Sequence, residues 1–168
     1  MNNIVLIGMP ASGKSPVGVL LAKALLYDFL DTDLILQLRC GMSLCRYIEK
    51  HGTDAFIHFE EETISALQVA PSSAGTVIAT GGSVVYGERA MQHLAKCAKI
   101  VYLRAPIEEL RARIGNIRSR GVVLTHGSTL DDLFSERQPL YERYAQITVD
   151  TAKKSPEQIV SELLADIR

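Results

Sequence analysis

The chain has few cysteines, no excess of either charge and no long apolar run, and each of these absences excludes a class of protein. Its three cysteines, Cys40, Cys45 and Cys97, make an odd count without a C-x-x-C spacing. We therefore expect free thiols in a reducing compartment rather than a disulfide framework or a metal site. The 18 basic and 19 acidic residues are spread along the chain, so no basic stripe indicates nucleic-acid binding.

The apolar segments are too short to span a membrane. The first of them stops at Gly8 and follows no basic region, which is typical of a strand rather than of a secretory signal. We expect a soluble, cytoplasmic, monomeric protein. One domain over residues 1–168 is expected, because this length is enough for a substantial core.

Five short apolar runs alternate with helical patterns. The runs are Ile4–Ile7, Phe29–Leu30, Val77–Ala79, Ile100–Leu103 and Ile147–Val149. This alternation predicts an α/β fold with a mostly parallel sheet. Ser43 and Gly52 bracket one short helix, and Ser155-Pro156-Glu157-Gln158 predicts a capping box with proline at the first helical position.

The pattern Gly-x-x-x-x-Gly-Lys-Ser follows the first run and precedes a helical pattern, which is the setting of a phosphate-binding loop. Its glycines let the backbone approach an anion at the positive end of a helix. Lys14 can reach the β- and γ-phosphates, and the Ser15 hydroxyl can bind Mg²⁺. Pro16 lacks an N–H that could face the nucleotide, so we expect weakened ATP affinity. The candidates for nucleotide binding are Gly8, Ala11, Ser12, Gly13, Lys14, Ser15 and Pro16.

Polar and glycine residues follow the next two runs, at the sheet edge where ligands gather in open α/β sheets. Asp31 and Asp33 beside a phosphate loop suit Mg²⁺ binding and proton acceptance, although an aspartate here also suits a helix N-cap. Gly81 and Gly82 either permit the close approach of a ligand or form a plain turn.

Arginines dominate the later polar segments. Arg113, Arg118 and Arg120 lie in a segment with three glycines, which suits either a lid that closes over phosphates or a solvated basic loop. Arg137 follows in a separate helical pattern, where by itself an arginine would be a surface charge.

Together these stretches resemble the shikimate kinase family, which are P-loop small-molecule kinases with the nucleoside monophosphate kinase fold. The resemblance spans nearly the whole chain, with the motifs in family order. It implies a three-layer α/β/α structure with a five-stranded parallel sheet of order 2-3-1-4-5. It also implies a lid near residues 113–128, a substrate-binding region near residues 32–62, and transfer of the γ-phosphoryl group of ATP, with Mg²⁺, to a hydroxyl of shikimate in aromatic amino acid biosynthesis.

The resemblance also implies catalytic and nucleotide-binding roles by position. Lys14 and Arg120 would stabilise the transferring phosphoryl group, and Asp33 would contact the substrate hydroxyl and accept its proton. Arg113 would stack on the adenine, with the lid arginine Arg120 closing over the phosphates.

The remaining assignments concern the metal and the acceptor. Ser15 and Asp31 would hold Mg²⁺ and its hydration shell. Gly81 and Gly82 would line the acceptor pocket, and Arg137 would pair with the substrate carboxylate.

The largest departure from the family is Ile57, which stands in the substrate-binding region where the family has a second arginine clamp on the shikimate carboxylate. Losing a charge-assisted hydrogen bond costs about 1.5–3 kcal/mol, or about 10- to 100-fold in binding. The other departures are Ala11 for glycine, Pro16 for a hydroxyl residue, Ser83 for a third glycine, and Gly121-Val122-Val123 for Pro-Leu-Leu after Arg120.

These departures leave alternatives open. One is a kinase retuned to another hydroxy acid or hydroxy amino acid, such as gluconate or homoserine. Another is a non-catalytic nucleotide-binding regulatory module, and a third is a kinase of the same fold that acts on a nucleotide or a coenzyme precursor.

Overall fold

Five strands form one parallel sheet in the computed structural model of the chain, which describes residues 3–69, 74–114 and 129–167. The strands are β1 (Asn3–Ile7), β2 (Asp28–Asp31), β3 (Thr76–Ala79), β4 (Ala98–Arg104) and β5 (Ile147–Asp150). They lie in the order β2-β3-β1-β4-β5, and each neighbouring pair is parallel. The predicted α/β class and strand order are therefore confirmed, and every strand extends beyond the apolar run that predicted it.

Helices connect the strands. They are α1 (Lys14–Leu25), α2 (Thr32–Cys40), α3 (Leu44–His51), α4 (Thr53–Ser65), α5 (Glu88–Cys97), α6 (Ile107–Arg113), α7 (Leu130–Tyr144) and α8 (Pro156–Ile167), with a 3₁₀ turn at Val84–Tyr86. Within the described ranges, none of these helices combines the length and the apolar character that crossing a bilayer requires.

The sheet carries an apolar core on each face, because successive side chains of a strand point to opposite sides. On β1, Val5 and Ile7 join the core formed with α4, α5 and α7, whereas Ile4 and Leu6 join the core formed with α1 and α8. These four side chains are at most 1% exposed. Burying one such side chain stabilises the fold by about 1.5–3 kcal/mol. The two cores make the molecule the expected three-layer α/β/α structure.

The predicted helix caps are present. The Ser43 hydroxyl accepts a hydrogen bond from the backbone N–H of Arg46, and α3 ends before Gly52. At α8 the capping box is complete, since Ser155 N–H donates to Gln158 Oε1 at 2.8 Å and Gln158 N–H donates to Ser155 Oγ at 3.3 Å. Pro156 is the first residue of that helix, as predicted.

The site elements lie at the carboxyl ends of three neighbouring strands, β2, β3 and β1. Gly8 follows β1, Asp31 is the last residue of β2, and Thr80 follows β3. Because parallel strands point the same way, their carboxyl ends meet at one edge of the sheet and bring these residues together. Most of the predicted lid, residues 115–128 with Arg118 and Arg120, lies outside the described residues.

Candidate active site

The phosphate-binding loop folds around the ammonium group of Lys14, the first residue of α1. Lys14 is 8% exposed, and its Nζ donates to the carbonyl oxygens of Gly8 and Met9 at 2.8 Å each. Burial lowers the pKa of Lys14 to about 8, and the carboxylate of Asp33 opposes this shift. The loop therefore holds a partly desolvated cation, which an anionic ligand would return to its fully charged form.

The glycines of the loop are required by its geometry. Gly8 has φ 146°, and a Cβ placed on it would lie 2.7 Å from the carbonyl oxygen of Leu103. Gly13 has φ 96°. Ala11, where the family usually has glycine, has φ 63°, a left-handed conformation that costs an L-residue about 1–2 kcal/mol. This departure thus adds backbone strain at the wall of the loop.

Ser12 provides an independent sign that the loop fits a phosphate. Its side chain is 1% exposed, and its Oγ has no hydrogen-bond partner among the described residues. A buried hydroxyl without a partner costs about 1–3 kcal/mol, which a phosphate oxygen would recover. The loop also lies at the N-terminus of the 12-residue helix α1, where backbone N–H groups attract anions.

Asp31 caps a helix and also contacts the phosphate loop. Its Oδ1 accepts from the backbone N–H of Asp33 at 3.0 Å and so caps α2, while its Oδ2 accepts from the Ser15 hydroxyl at 2.9 Å. An adjacent hydroxyl and carboxylate suit Mg²⁺, which takes few protein ligands and keeps phosphate and water oxygens. In the described ranges no cluster of three or more His, Cys, Asp or Glu residues could hold a metal.

Asp33 lies at the start of α2, on the acceptor side of the loop. Burial raises the pKa of Asp33, the neighbouring Asp31 adds to the rise, and Lys14 opposes it. A carboxylate with a raised pKa is a stronger base than an ordinary aspartate. The geometry therefore suits proton acceptance at this side chain.

Gly81 and Gly82 lie close against neighbouring side chains, and a turn is formed at Gly82 and Ser83. A Cβ on Gly81 would lie 2.9 Å from Asp33 Oδ1, and one on Gly82 would lie 3.1 Å from Arg137 Nη1. Arg137 is 1% exposed, its Nε donates to the Tyr86 hydroxyl at 3.1 Å, and its guanidinium lies 5.0 Å above the Tyr86 ring. This arginine belongs to the interior of the site and not to the surface.

One cavity of about 690 Å³ connects the phosphate loop to Asp33 and Arg137. Arg113 lines it as well, and its Nη1 donates to the Ala11 carbonyl at 3.4 Å. The other lining residues are Pro10, Ser12, Gly13, Lys14, Ser15, Pro16, Val17, Asp31, Leu44, Phe56, Thr80, Gly81, Gly82, Ser83, Lys154, Pro156 and Ile159. Ile57 is not among them, because it packs half-buried against the apolar cluster of Leu36, Leu44 and Phe56.

Sequence reasoning missed a buried acid beside this cavity. Glu60 is 2% exposed, and its Oε2 accepts from the Ser83 hydroxyl at 2.5 Å. Burial raises the pKa of Glu60 to about 7. A signal was present, because Phe56, Glu60 and Ile64 are spaced four apart and so share the buried face of α4. No comparable local signal marks Tyr86.

A family model described as shikimate kinase matches residues 10–168. The chain belongs to the shikimate kinase family. A shikimate kinase of Pseudomonas putida is 34% identical over 166 residues, which cover 98% of this chain and 95% of that protein. The predicted family and the predicted class of enzyme, a phosphotransferase acting on a hydroxyl group, are thereby confirmed.

Solved structures agree with this membership. A shikimate kinase from Acinetobacter baumannii, in complex with shikimate, superposes with a TM-score of 0.86 at 27% identity and covers 99% of this chain and 93% of that one. A gluconokinase from Sinorhizobium meliloti has a TM-score of 0.53 at 18% identity, covering 99% and 91% of the two chains, and shares the fold alone.

Proposed function

We propose that this member of the shikimate kinase family transfers the γ-phosphoryl group of ATP to a hydroxyl of shikimate, with Mg²⁺. The observation that carries the proposal is that the phosphate loop, Asp33 and Arg137 line the same cavity of about 690 Å³. A phosphate-binding loop, a base and a guanidinium that can bind a carboxylate thus surround one cavity, and the volume of this cavity is typical of small-molecule sites.

At the nucleotide end, the loop amides and Lys14 bind the phosphates and hold them in place. Lys14 carries its full charge when phosphates surround it, because their negative charge opposes the effect of burial. Ser15 and Asp31 would hold Mg²⁺, which would neutralise part of the phosphate charge. Arg113 is proposed to contact the adenine, and Arg120, which lies outside the described residues, is proposed to stabilise the transferring group from the lid.

At the acceptor end, Arg137 pairs with the substrate carboxylate. Asp33 orients the reacting hydroxyl and accepts its proton, so that the alcohol oxygen can attack phosphorus. Gly81 and Gly82 line the cavity and present backbone rather than side chains to the acceptor. A larger residue at either position would also meet the side chain of Asp33 or of Arg137. In this class of reaction catalysis is mostly positioning and electrostatics, which such an arrangement supplies.

A second candidate is a kinase of the same fold that acts on a different hydroxy acid or on a hydroxy amino acid. Ile57 favours it, because this side chain lies in an apolar cluster where the family has a cation. The non-catalytic regulatory module is favoured by Ile57 and by Pro16, which lines the nucleotide end of the cavity without an N–H to donate.

The test is ADP release at saturating Mg-ATP with shikimate, quinate, gluconate, homoserine or no acceptor. Shikimate-stimulated release with a measurable Michaelis constant is expected. The matched control is Lys14→Met, which should abolish release with every acceptor, because it removes the ammonium from the loop. Stimulation by another acceptor alone would replace shikimate with that acceptor, and no stimulation by any would contradict the proposal.

The setting proposed for this reaction is the cytoplasm, with the enzyme acting as a monomer. Cys40, Cys45 and Cys97 are all free thiols, which supports a reducing compartment.

A further inference from the structure

Glu60 is a buried carboxyl group that the proposed mechanism does not use. It lies on α4 with its side chain 2% exposed. Its Oε2 accepts from the Ser83 hydroxyl at 2.5 Å, whereas its Oε1 has no hydrogen-bond partner among the described residues. One oxygen is therefore fixed and the other is left with an unmet hydrogen-bonding capacity.

The unpartnered oxygen faces the acceptor end of the cavity wall. A Cβ placed on Gly81 would lie 2.7 Å from Glu60 Oε1 and 2.9 Å from Asp33 Oδ1. The two carboxyl groups thus approach the same point of the backbone from α4 and from α2. Glu60 lies directly behind the wall that Gly81 and Ser83 form.

Several charges act on Glu60 from the surrounding elements. Burial is the main reason that its pKa is raised, and Asp33 on α2 adds to the rise. The Ser83 hydroxyl, Arg137 on α7 and Lys14 in the phosphate loop oppose it. Lys14 and Arg137 therefore stabilise the ionised form of Glu60, although Lys14 also stabilises ionised Asp33 and both cations are proposed to bind ligands.

Other cations near α4 bond elsewhere. Arg39 on α2 donates to the Thr63 hydroxyl at 3.2 Å, and Arg89 on α5 pairs with Glu61 at 3.2 Å. Ile57 on α4 itself brings no charge. Arg137 is the cation that lines the acceptor end of the cavity, as far as the described residues show.

This arrangement creates a charge conflict for an anionic acceptor. With Asp33 and Glu60 both ionised, two negative charges face the guanidinium of Arg137 and the ammonium of Lys14, and an entering carboxylate would add a third. Because Lys14 is proposed to bind the phosphates of ATP, Arg137 is then the cation left to balance the carboxyl groups. We propose that Glu60 makes the affinity for a carboxylate-bearing acceptor depend on pH, because it is held as a neutral acid whenever such an acceptor is bound. This inference rests on the proposed function.

The hydrogen bond from Ser83 decides where the proton lies. Because Oε2 already accepts from the Ser83 hydroxyl, the proton occupies Oε1, on the side of Gly81 and Asp33. The proton comes from solvent, so acceptor binding above neutral pH takes up a proton. Ser83 is a positioning residue that acts through Glu60.

The test compares wild type with Glu60→Gln, a neutral side chain of nearly the same shape, at saturating Mg-ATP. For wild type the KM for shikimate should rise about 30-fold between about pH 6 and about pH 8.5, as Glu60, whose pKa is raised to about 7, becomes ionised in the free enzyme. In Glu60→Gln it should stay near its low-pH value. The matched control is Glu62→Gln, on the exposed side of α4 beside His58, which should follow the wild-type profile.

Two further measurements remain informative if Glu60→Gln does not fold. Ser83→Ala should move the alkaline rise in KM to higher pH, because the lost hydroxyl stabilised the ionised form; a merely structural role would not shift a pH profile. Calorimetry of shikimate binding to wild type saturated with Mg-ADP, in buffers of different ionisation enthalpy, should show net proton uptake near about pH 8.

The results of these experiments distinguish the role of Glu60 from the proposed function. Shikimate turnover with a flat KM profile, a rise that persists in Glu60→Gln, or binding without proton uptake would overturn the role of Glu60 and leave the proposed function standing. Absence of shikimate-stimulated turnover at every pH would overturn both.

Discussion

The replacement Arg137→Lys examines the acceptor end of the site most closely, because it keeps the charge and removes the planar guanidinium. Arg137 is 1% exposed, and its Nε donates to the Tyr86 hydroxyl at 3.1 Å. Lysine is a compact point charge that cannot bind a carboxylate in a bidentate manner, nor hold Tyr86 from the same position at the same time. The variant should therefore bind an anionic acceptor through a weaker and less directed contact.

The size of the effect follows from the contact that is lost. One charge-assisted hydrogen bond contributes about 1.5–3 kcal/mol, so the KM for shikimate should rise about 10- to 100-fold. The KM for ATP should stay unchanged, because Lys14 and the loop amides bind the phosphates. Initial rates from a coupled ADP assay, with each substrate varied in turn, measure both constants.

Arg104→Lys is the matched control. Arg104 donates to Asp150 at 2.6 Å, and its side chain is 42% exposed. Exposed ion pairs contribute about 0–1 kcal/mol, so this variant should keep both Michaelis constants. A folded Arg137→Lys enzyme with the wild-type KM for shikimate would refute the assignment of Arg137, and an equal rise in both constants would point to a general distortion instead.

Three further variants address the base, the loop and the buried acid. Asp33→Asn should lower kcat by at least about 100-fold with the ATP dissociation constant unchanged, and wild-type turnover would remove Asp33 from the role of base. Pro16→Thr should tighten ATP binding measured by calorimetry, because it restores an N–H and a hydroxyl; an unchanged dissociation constant would contradict this. The stability that protonated Glu60 contributes is fully present below about pH 4.5 and is lost as pH rises through about 7. Chemical denaturation should therefore show wild type losing up to about 3 kcal/mol relative to Glu60→Gln across that range, and parallel pH profiles would contradict the shift.

The parts of the fold that depend on residues close together in the sequence could be predicted from it. The run Ile4–Ile7 and the glycine pattern behind it contain what a buried strand and an anion-binding turn require, and Ser155 with Gln158 specifies its own capping box. Strand order was not accessible in this way, because it depends on pairings between distant segments. It came from the family resemblance and is confirmed by the structure.

Contacts between distant elements limited what could be predicted for the site. Arg137 alone indicates a surface charge, and its hydrogen bond to Tyr86, 51 positions away, is a contact that no local pattern reveals. Ser83 and Glu60 are 23 positions apart, and no periodic pattern joins them. Asp31 was ambiguous between cap and ligand because a carboxylate at the start of a helix suits both. The structure shows the cap, through the bond from Asp33, and a second bond from the Ser15 hydroxyl.

Phosphorus NMR of the enzyme with Mg-ATP and shikimate tests most directly whether the phosphate loop and the acceptor pocket work on one reaction. The γ-phosphate signal should disappear as the signals of ADP and of one new phosphate monoester grow in equal amounts, and omission of shikimate should stop the change. Release of inorganic phosphate alone, or an unchanged γ-phosphate signal, would contradict the account.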